Sequence, residues 1–293
     1  MAIRKTQGRP ILLAPAGSRA AVAAVLAAGA DAVYAGAGAW GRGGTRTGLA
    51  DAEIFAAVAE CRAAGASLQV ALNTVPAAAD IPRFLAAVRR LRDGGVETAI
   101  LSDPGAIALV RRECPGLRLC ASVGASTLNP AEAQFYRELG ADAVVLPTAV
   151  GREEILPIKA ASGLFVEVFV YGRPEFIIHG KCGLPGYLQE APLRAAGAGN
   201  AGPPEAAGPA GDGALASAKR TGRCYLVCRA LPVPRETRSI EDELPAWTAA
   251  GADAFKIEGR DLPADKIGPI VARIRAKLDA AIAGGPGPGR SVL

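Results

Sequence analysis

A short sequence pattern that occurs four times constrains the fold of this chain more than any other feature. Each copy has a glycine, a small or apolar residue, an acidic residue and then a run of small and β-branched residues. The glycine suits the left-handed backbone that ends a helix, and the following run suits a buried parallel strand. The copies are AAGADAVYAG (27–36), DGGVETAILSD (93–103), LGADAVVLP (139–147) and AAGADAFKIEG (249–259). The pattern therefore predicts repeated helix-to-strand connections along the chain.

Apolar segments between these copies complete an alternation of strands and helices. We predict eight strands, at 11–15, 33–36, 67–73, 99–102, 117–121, 143–146, 165–171 and 254–258. Ala-rich helical segments lie between most of them, at 18–28, 51–63, 80–93, 104–113, 130–139 and 151–161. Eight strands alternating with helices in 293 residues is the count of a (β/α)8 barrel, a TIM-like α/β fold. An open doubly wound sheet is the alternative arrangement of the same elements.

The alternation stops between residues 183 and 240, where an Ala-, Gly- and Pro-rich tract follows the seventh strand. Such a composition is typical of a loop that forms no packed core. Helices at 241–250 and 263–283 flank the last strand and close the barrel. We therefore predict one TIM-like domain over 1–283, with 183–240 as an insertion and 284–293 as a disordered tail.

Composition limits the classes to which the protein can belong. Half of its residues are apolar and 21% are charged, which is typical of a globular rather than a disordered chain. The formal charge of +5 and the pI near 9.0 permit an acidic partner without indicating one, because the arginines are spread along the chain. No apolar run approaches the roughly 18 residues of a membrane span, and no signal peptide is evident, so we expect a cytoplasmic protein.

The reactive groups of (β/α)8 barrels lie at the C-terminal ends of the strands and in the loops that follow. By alternation, Lys256 and Glu258 share one face of the last strand, in the barrel interior near its mouth. A buried Lys–Glu pair can bind an anion or act in acid/base catalysis, and a structural ion pair is the alternative. Polar residues at the ends of other strands are Asn73, Asp103, Tyr171 and Arg173. The insertion also follows a strand, so we expect it over the same mouth.

Three of the six cysteines lie in Gly-flanked, irregular segments at the insertion, and two of them are spaced C-x-x-x-C. Thiolates select iron–sulfur clusters or zinc, and cysteines in a reducing compartment indicate metal or redox use before disulfides. A zinc site of Cys3His type and unligated thiols are the alternatives. The three cysteines are Cys182, Cys224 and Cys228, and the candidates for a fourth ligand are Glu175, His179 and Cys120.

Eight short motifs, in order along the chain, resemble those of a known family. They are LLAPAGS (12–18), GADAVYAG (29–36), LNT (72–74), SDPG (102–105), VFVYGR (168–173), GKC (180–182), CYLVCR (224–229) and FKIEGR (255–260). The chain is similar to the collagenase-like peptidase family, peptidase family U32, over nearly its whole length. VYGRPEFIIHGKC (170–182) is similar to the iron–sulfur hydroxylation factors of the UbiU/UbiV type.

The resemblance implies a barrel with a cysteine-bound iron–sulfur cluster, of the 4Fe–4S type. Cys182, Cys224 and Cys228 match three ligand positions, and Glu175 or His179 would complete the set. Glu175 stands where some members have a further cysteine, and the spacing between Cys182 and Cys224 is longer than usual.

The same resemblance implies oxygen-independent hydroxylation of an aromatic ubiquinone precursor or of a base in RNA. The implied alternatives are a collagenase-like peptidase and a non-catalytic subunit that forms a heterodimer with a paralogue. We expect Lys256, Glu258 and Arg260 at the catalytic site, and as substrate-binding residues Asn73, Asp103, Tyr171 and Arg173.

Overall fold

The computed structural model describes residues 9–42, 47–173 and 237–284. Its strands are β1 (Ile11–Pro15), β2 (Ala32–Ala37), β3 (Gly48–Leu49), β4 (Ser67–Ala71), β5 (Thr98–Leu101), β6 (Arg118–Ala121), β7 (Ala143–Val145), β8 (Phe165–Gly172), β9 (Arg238–Ser239) and β10 (Ala254–Ile257). Its α-helices are α1 (Arg19–Ala27), α2 (Asp51–Ala63), α3 (Ile81–Asp93), α4 (Pro104–Glu113), α5 (Pro130–Glu138), α6 (Ile155–Ser162), α7 (Leu244–Ala249) and α8 (Ala264–Ala283).

Eight parallel strands form a closed barrel, in the order β1-β10-β8-β7-β6-β5-β4-β2, and β2 returns to pair with β1. This closure confirms the predicted TIM-like (β/α)8 fold, and it excludes the open sheet. Two short strands extend the barrel: β3 pairs with β2, and β9 pairs antiparallel with the end of β8. The short pairings of β3 and β9 were not predicted, since two-residue strands carry no periodicity. Among the helices of the described ranges, none contains an apolar stretch of membrane-spanning length.

Local sequence signals explain where the helices begin. The side chains of Ser18, Asp103 and Asn129 accept hydrogen bonds from backbone N–H groups in the first turns of α1, α4 and α5. A proline occupies the first helical position of α4 and of α5, where its missing N–H carries no cost. These caps end the loops at the barrel mouth and direct the chain onto its outer face.

Side chains of alternate strand residues form two separate cores. One lies between the strands and the surrounding helices and includes the Trp40–Phe84 contact, with ring centroids 5.2 Å apart. The other fills the barrel interior and includes Leu13, Ile100 and Phe169. The interior core also contains buried polar groups that bond across the barrel, and these form the floor of the site described below.

The repeated sequence pattern has one structural role at three of its four copies. Gly29, Gly140 and Gly251 have φ values of 87°, 99° and 92°, which a residue with a Cβ rarely adopts. The aspartate two residues later accepts a hydrogen bond from a backbone N–H of the neighbouring strand, at 2.8, 2.9 and 2.8 Å. Each aspartate also pairs with a helix cation; the pairs are Asp31–Arg275, Asp142–Arg111 and Asp253–Lys159. The pattern therefore joins each strand to its neighbour at the bottom of the barrel.

Replacing Asp253 by alanine should lower the free energy of unfolding by about 1–3 kcal/mol, because the N–H of buried Val166 loses its carboxylate acceptor. Asp253→Asn, which keeps an acceptor oxygen but loses the ion pair to Lys159, should fall between alanine and wild type. The measurement is urea denaturation followed by circular dichroism. The control is Asp242→Ala, since that side chain is 87% exposed and its ion pair contributes little. Equal effects of Asp242→Ala and Asp253→Ala would contradict the assigned role.

Candidate functional site

A cavity of about 340 Å³ opens at the C-terminal ends of the barrel strands. One part of its wall is apolar and comes from β4, β5, β7, β8 and the loop after β6, with the side chains of Ala71, Ile100, Val123, Val145 and Phe169. Four cations and two carboxylates also line it, which are Arg42, Arg173, Lys256, Arg260, Glu258 and Asp261. An apolar wall beside an excess of positive charge suits a ligand that has both a flat apolar part and an anionic group.

A buried ion pair forms the floor of the cavity. The Lys256 Nζ lies 2.8 Å from Glu167 Oε2, and the two residues are only 4% and 0% exposed. Glu167 Oε1 accepts a further hydrogen bond, of 3.1 Å, from the Gln69 side chain on β4. Since β4 and β8 are not neighbours in the barrel, this bond crosses its interior. The lysine predicted from alternation therefore has a buried carboxylate partner, but that partner is Glu167 rather than Glu258.

The Tyr34 ring connects the two innermost cations. The Lys256 Nζ lies 4.5 Å from the ring centroid, and the Arg260 guanidinium carbon lies 5.7 Å from it. The Tyr34 hydroxyl donates a 2.8 Å hydrogen bond to the Ile257 carbonyl, which fixes the ring on β10. Burial raises the pKa of Tyr34 far above its ordinary value, so the phenol stays protonated and keeps donating this bond. The ring is thus a rigid support for both cations.

Two glycines make room for Arg260. A Cβ at Gly17 would lie 1.9 Å from the Arg260 carbonyl oxygen, and one at Gly36 would lie 3.0 Å from Arg260 Nη1. Nη1 is buried and has no hydrogen-bond partner among the described residues. The family-like segments 12–18, 29–36 and 255–260 therefore meet at this one residue, the first at its backbone and the second at its side chain.

The remaining charged residues form the edge of the cavity. Glu258 Oε2 accepts a 2.6 Å hydrogen bond from the backbone N–H of Arg173, whose guanidinium pairs with Asp261 at 3.1 Å. Asn73 also lines the cavity, and its Oδ1 accepts a 3.0 Å hydrogen bond from the Arg42 backbone N–H. These contacts join the loops that follow β2, β4, β8 and β10.

Two residues predicted to bind substrate lie outside the lining of this cavity. Asp103 caps α4, with its Oδ1 2.8 Å from the Ala106 nitrogen. Tyr171 packs against the outer core, and the Arg273 guanidinium lies 5.6 Å from its ring centroid. The outward position of Tyr171 results from an irregularity in the β8–β10 pairing, where the register shifts between Lys256 and Ile257. This shift interrupts the alternation of β8, so Tyr171 faces outward.

The predicted metal ligands Cys182, Cys224, Cys228, Glu175 and His179 lie outside the described residues. Within the described ranges, no group of three His, Cys, Asp or Glu residues could hold a metal ion. Cys120 lies in the barrel interior, fully buried, and burial raises the pKa of its thiol. A metal ligand must be a thiolate, so this environment disfavours Cys120 as the fourth ligand.

Residues 174–236, which hold these candidates, begin directly after a residue of the cavity edge and end beside the short strand that pairs with β8. Arg173 lines the cavity, and Gly172 pairs with Arg238 where β8 meets β9. Arg238 also donates a hydrogen bond to the Thr148 carbonyl in the loop after β7. The segment therefore leaves and rejoins the described structure at the mouth of the barrel.

Three residues that build the floor were not predicted from the sequence, namely Glu167, Gln69 and Tyr34. Glu167 carried a usable signal, because it is the one charged residue in the apolar strand FVEVFVY. A lone carboxylate at a buried strand position needs a buried partner. Gln69 and Tyr34 carry no charge that would demand a partner, and only the closed barrel brings them to Glu167 and Lys256.

Proteins with similar sequences include RNA-modification proteins. The chain is 31% identical over 186 residues to the tRNA hydroxylation protein P of Haemophilus influenzae, a match that covers 63% of this chain and 40% of that protein. It is 26% identical over 288 residues to the 23S rRNA 5-hydroxycytidine C2501 synthase of Escherichia coli, covering 92% and 39%. The chain thus spans about two-fifths of the length of these relatives.

A solved structure of a U32 peptidase matches 56% of this chain and 70% of its own, with 18% identity and a TM-score of 0.48. The sequence model of peptidase family U32 matches residues 17–203, more than half of the chain. This match begins at Gly17 and includes Tyr34, Gly36 and Glu167, so it covers most of the residues that support the two inner cations. The chain belongs to peptidase family U32.

Proposed function

We propose that this chain binds one base of an RNA substrate in the cavity at the barrel mouth and supports hydroxylation of that base. The observation that carries the proposal is the cavity itself, which combines an apolar wall with four cations. RNA presents the matching chemistry, since each nucleotide has a flat base and a negative phosphate. Two relatives have names that specify tRNA hydroxylation and rRNA 5-hydroxycytidine synthesis, and both support RNA as the substrate class.

The size of the cavity limits how RNA can enter. A volume of about 340 Å³ is at the lower end of the range for small-molecule sites, so it admits one nucleotide but not a folded helix. The target base must therefore leave its stack and turn into the cavity, as in other enzymes that modify bases. Phe169 offers the base an aromatic surface, and Ile100 and Val145 continue the apolar wall.

Lys256 can act on the base through its ammonium group. Glu167 stabilises the positive charge, and the ammonium has three N–H donors, of which Glu167 accepts one. A remaining donor can bond to a base carbonyl and stabilise negative charge that develops on the ring. Glu258 and Asp261 carry acceptors for an exocyclic amino group, while Asn73 carries both donors and acceptors.

We propose that an iron–sulfur cluster of the 4Fe–4S type is held by Cys182, Cys224 and Cys228, with Glu175 or His179 as the fourth ligand. Two observations support this. Three thiols have the chemistry of cluster ligands, and the segment that carries them begins directly after Arg173 at the edge of the cavity and ends beside the strand that pairs with β8. A bound cluster supplies one-electron redox chemistry. No described feature favours the ubiquinone precursor, the peptide substrate, zinc or the paralogous partner predicted as alternatives.

Expression of this chain in a bacterial host that lacks its own relative should add a hydroxylated nucleoside to the tRNA or rRNA. The measurement is mass spectrometry of RNA digested to nucleosides. The double variant Lys256→Met/Glu167→Met removes the buried donor without leaving an unpaired charge, so the signal should fall about 100-fold or more. Lys266→Met, at an exposed position on α8, is the matched control and should keep the wild-type signal. If the RNA of the host that expresses the wild-type chain contains no added hydroxylated nucleoside, this function is excluded.

After anaerobic purification the protein should contain about four iron and four sulfide per chain. Replacing Cys182, Cys224 and Cys228 together by serine should reduce both to background, as measured by elemental analysis and visible absorbance. Cys61→Ala is the control, because Cys61 is a buried thiol on α2, and its iron content should match the wild type. The cluster proposal fails if the wild-type protein is colourless and iron-free, or if the triple variant retains its iron.

A further inference from the structure

We propose that Arg260 binds the phosphate of the nucleotide whose base enters the cavity, so that the site takes a nucleotide in preference to a nucleoside. This inference rests on the proposed function and assigns one part of its substrate to one side chain. It concerns Arg260 in particular, because the four cations of the cavity differ in what they already contact.

Arg260 has an unused donor at the site. Its Nη1 is buried, yet no acceptor bonds to it anywhere in the described ranges. A guanidinium N–H without a partner is costly when buried, and an anionic oxygen is the acceptor that matches it best. Arg260 lines the cavity, so a phosphate there would pair with a guanidinium to which the described residues supply no acceptor at Nη1.

The other inner cation and one of the two cations at the edge already have carboxylate partners. Lys256 pairs with Glu167 at 2.8 Å, and Arg173 pairs with Asp261 at 3.1 Å. Arg260 has no ion pair with any described carboxylate, although it lines the same cavity. Its charge is therefore available to a ligand, whereas the charges of Lys256 and Arg173 are in part neutralised.

The guanidinium is held in place before any ligand arrives. The Tyr34 ring lies beneath it, with 5.7 Å between the ring centroid and the guanidinium carbon. Gly36 leaves the space that Nη1 occupies, and Gly17 allows the Arg260 backbone to approach the loop after β1. A fixed arginine loses little side-chain entropy on binding, and its planar guanidinium can donate to two phosphate oxygens at once.

The position of Arg260 in the barrel is one where phosphate groups are often bound in this fold. Phosphate sites in (β/α)8 barrels are frequently built by the loops after the seventh and eighth strands. Those strands are β8 and β10 here, and Arg260 follows β10 and contacts the residues of β2. The apolar wall comes from β4, β5, β7 and β8, so a base against that wall places its phosphate toward Arg260.

The test compares binding of cytidine 5′-monophosphate and cytidine to the whole 293-residue chain, purified anaerobically, by isothermal titration calorimetry. In the wild type, the phosphate should increase the affinity about tenfold or more, as expected for a charge-assisted contact. In Arg260→Gln, this advantage should fall below about twofold, with cytidine binding unchanged. Gly36→Ala, whose new Cβ would lie 3.0 Å from Nη1, should reduce the affinity gained from the phosphate without changing any charge.

Arg62→Gln, at an exposed position on α2, is the matched control and should keep the full phosphate advantage. The inference is overturned if the phosphate adds no affinity in the wild type. It is also overturned if the Arg260→Gln variant is folded and binds the nucleotide as tightly as the wild type does. RNA hydroxylation by the wild type is measured in parallel. Absence of hydroxylation together with an intact phosphate advantage would overturn the proposed function alone. Hydroxylation with no dependence of nucleotide binding on Arg260 would overturn this inference alone.

Discussion

The ion pair between Lys256 and Glu167 is the interaction on which the mouth of the barrel depends. Water solvates neither group, because Glu167 is fully buried and Lys256 is nearly so, and each charge is therefore tolerated only beside the other. The Tyr34 ring packs over the lysine and also supports Arg260. Lys256 is thus held from below by a carboxylate that does not itself line the cavity, and the Tyr34 ring supports both inner cations.

Segments far apart in the chain are required to build this arrangement, and that explains why the motifs of the chain are glycine-rich. Gly17 follows β1 and Gly36 lies in β2, and both leave space that Arg260 fills from the end of β10. At the opposite end of the barrel, the glycine–aspartate repeat joins neighbouring strands through aspartate carboxylates. One end of the barrel therefore maintains closure, while the other end positions charge around a cavity. This division of roles is typical of (β/α)8 barrels.

The fold was predictable from the sequence because its signals are local and periodic. Each glycine–aspartate copy marks a helix end and a strand start, and the eight barrel strands follow from the apolar runs. The floor of the site was only half predictable. Alternation placed Lys256 in the barrel interior, but Glu167 lies 89 residues away, and no local pattern links the two. The prediction that Tyr171 faces the site was wrong because a register shift between β8 and β10 breaks the alternation. The Asp103 carboxylate does not line the cavity because it caps a helix.

The central claim is that the cavity at the barrel mouth holds the substrate base, with its phosphate at Arg260. A crystal structure of the protein with bound cytidine 5′-monophosphate tests this claim most directly. Electron density for the base should lie against Phe169, and density for a phosphate oxygen should lie within about 3 Å of the Arg260 guanidinium. Density for the nucleotide elsewhere on the protein, with the cavity filled only by solvent, would contradict the account.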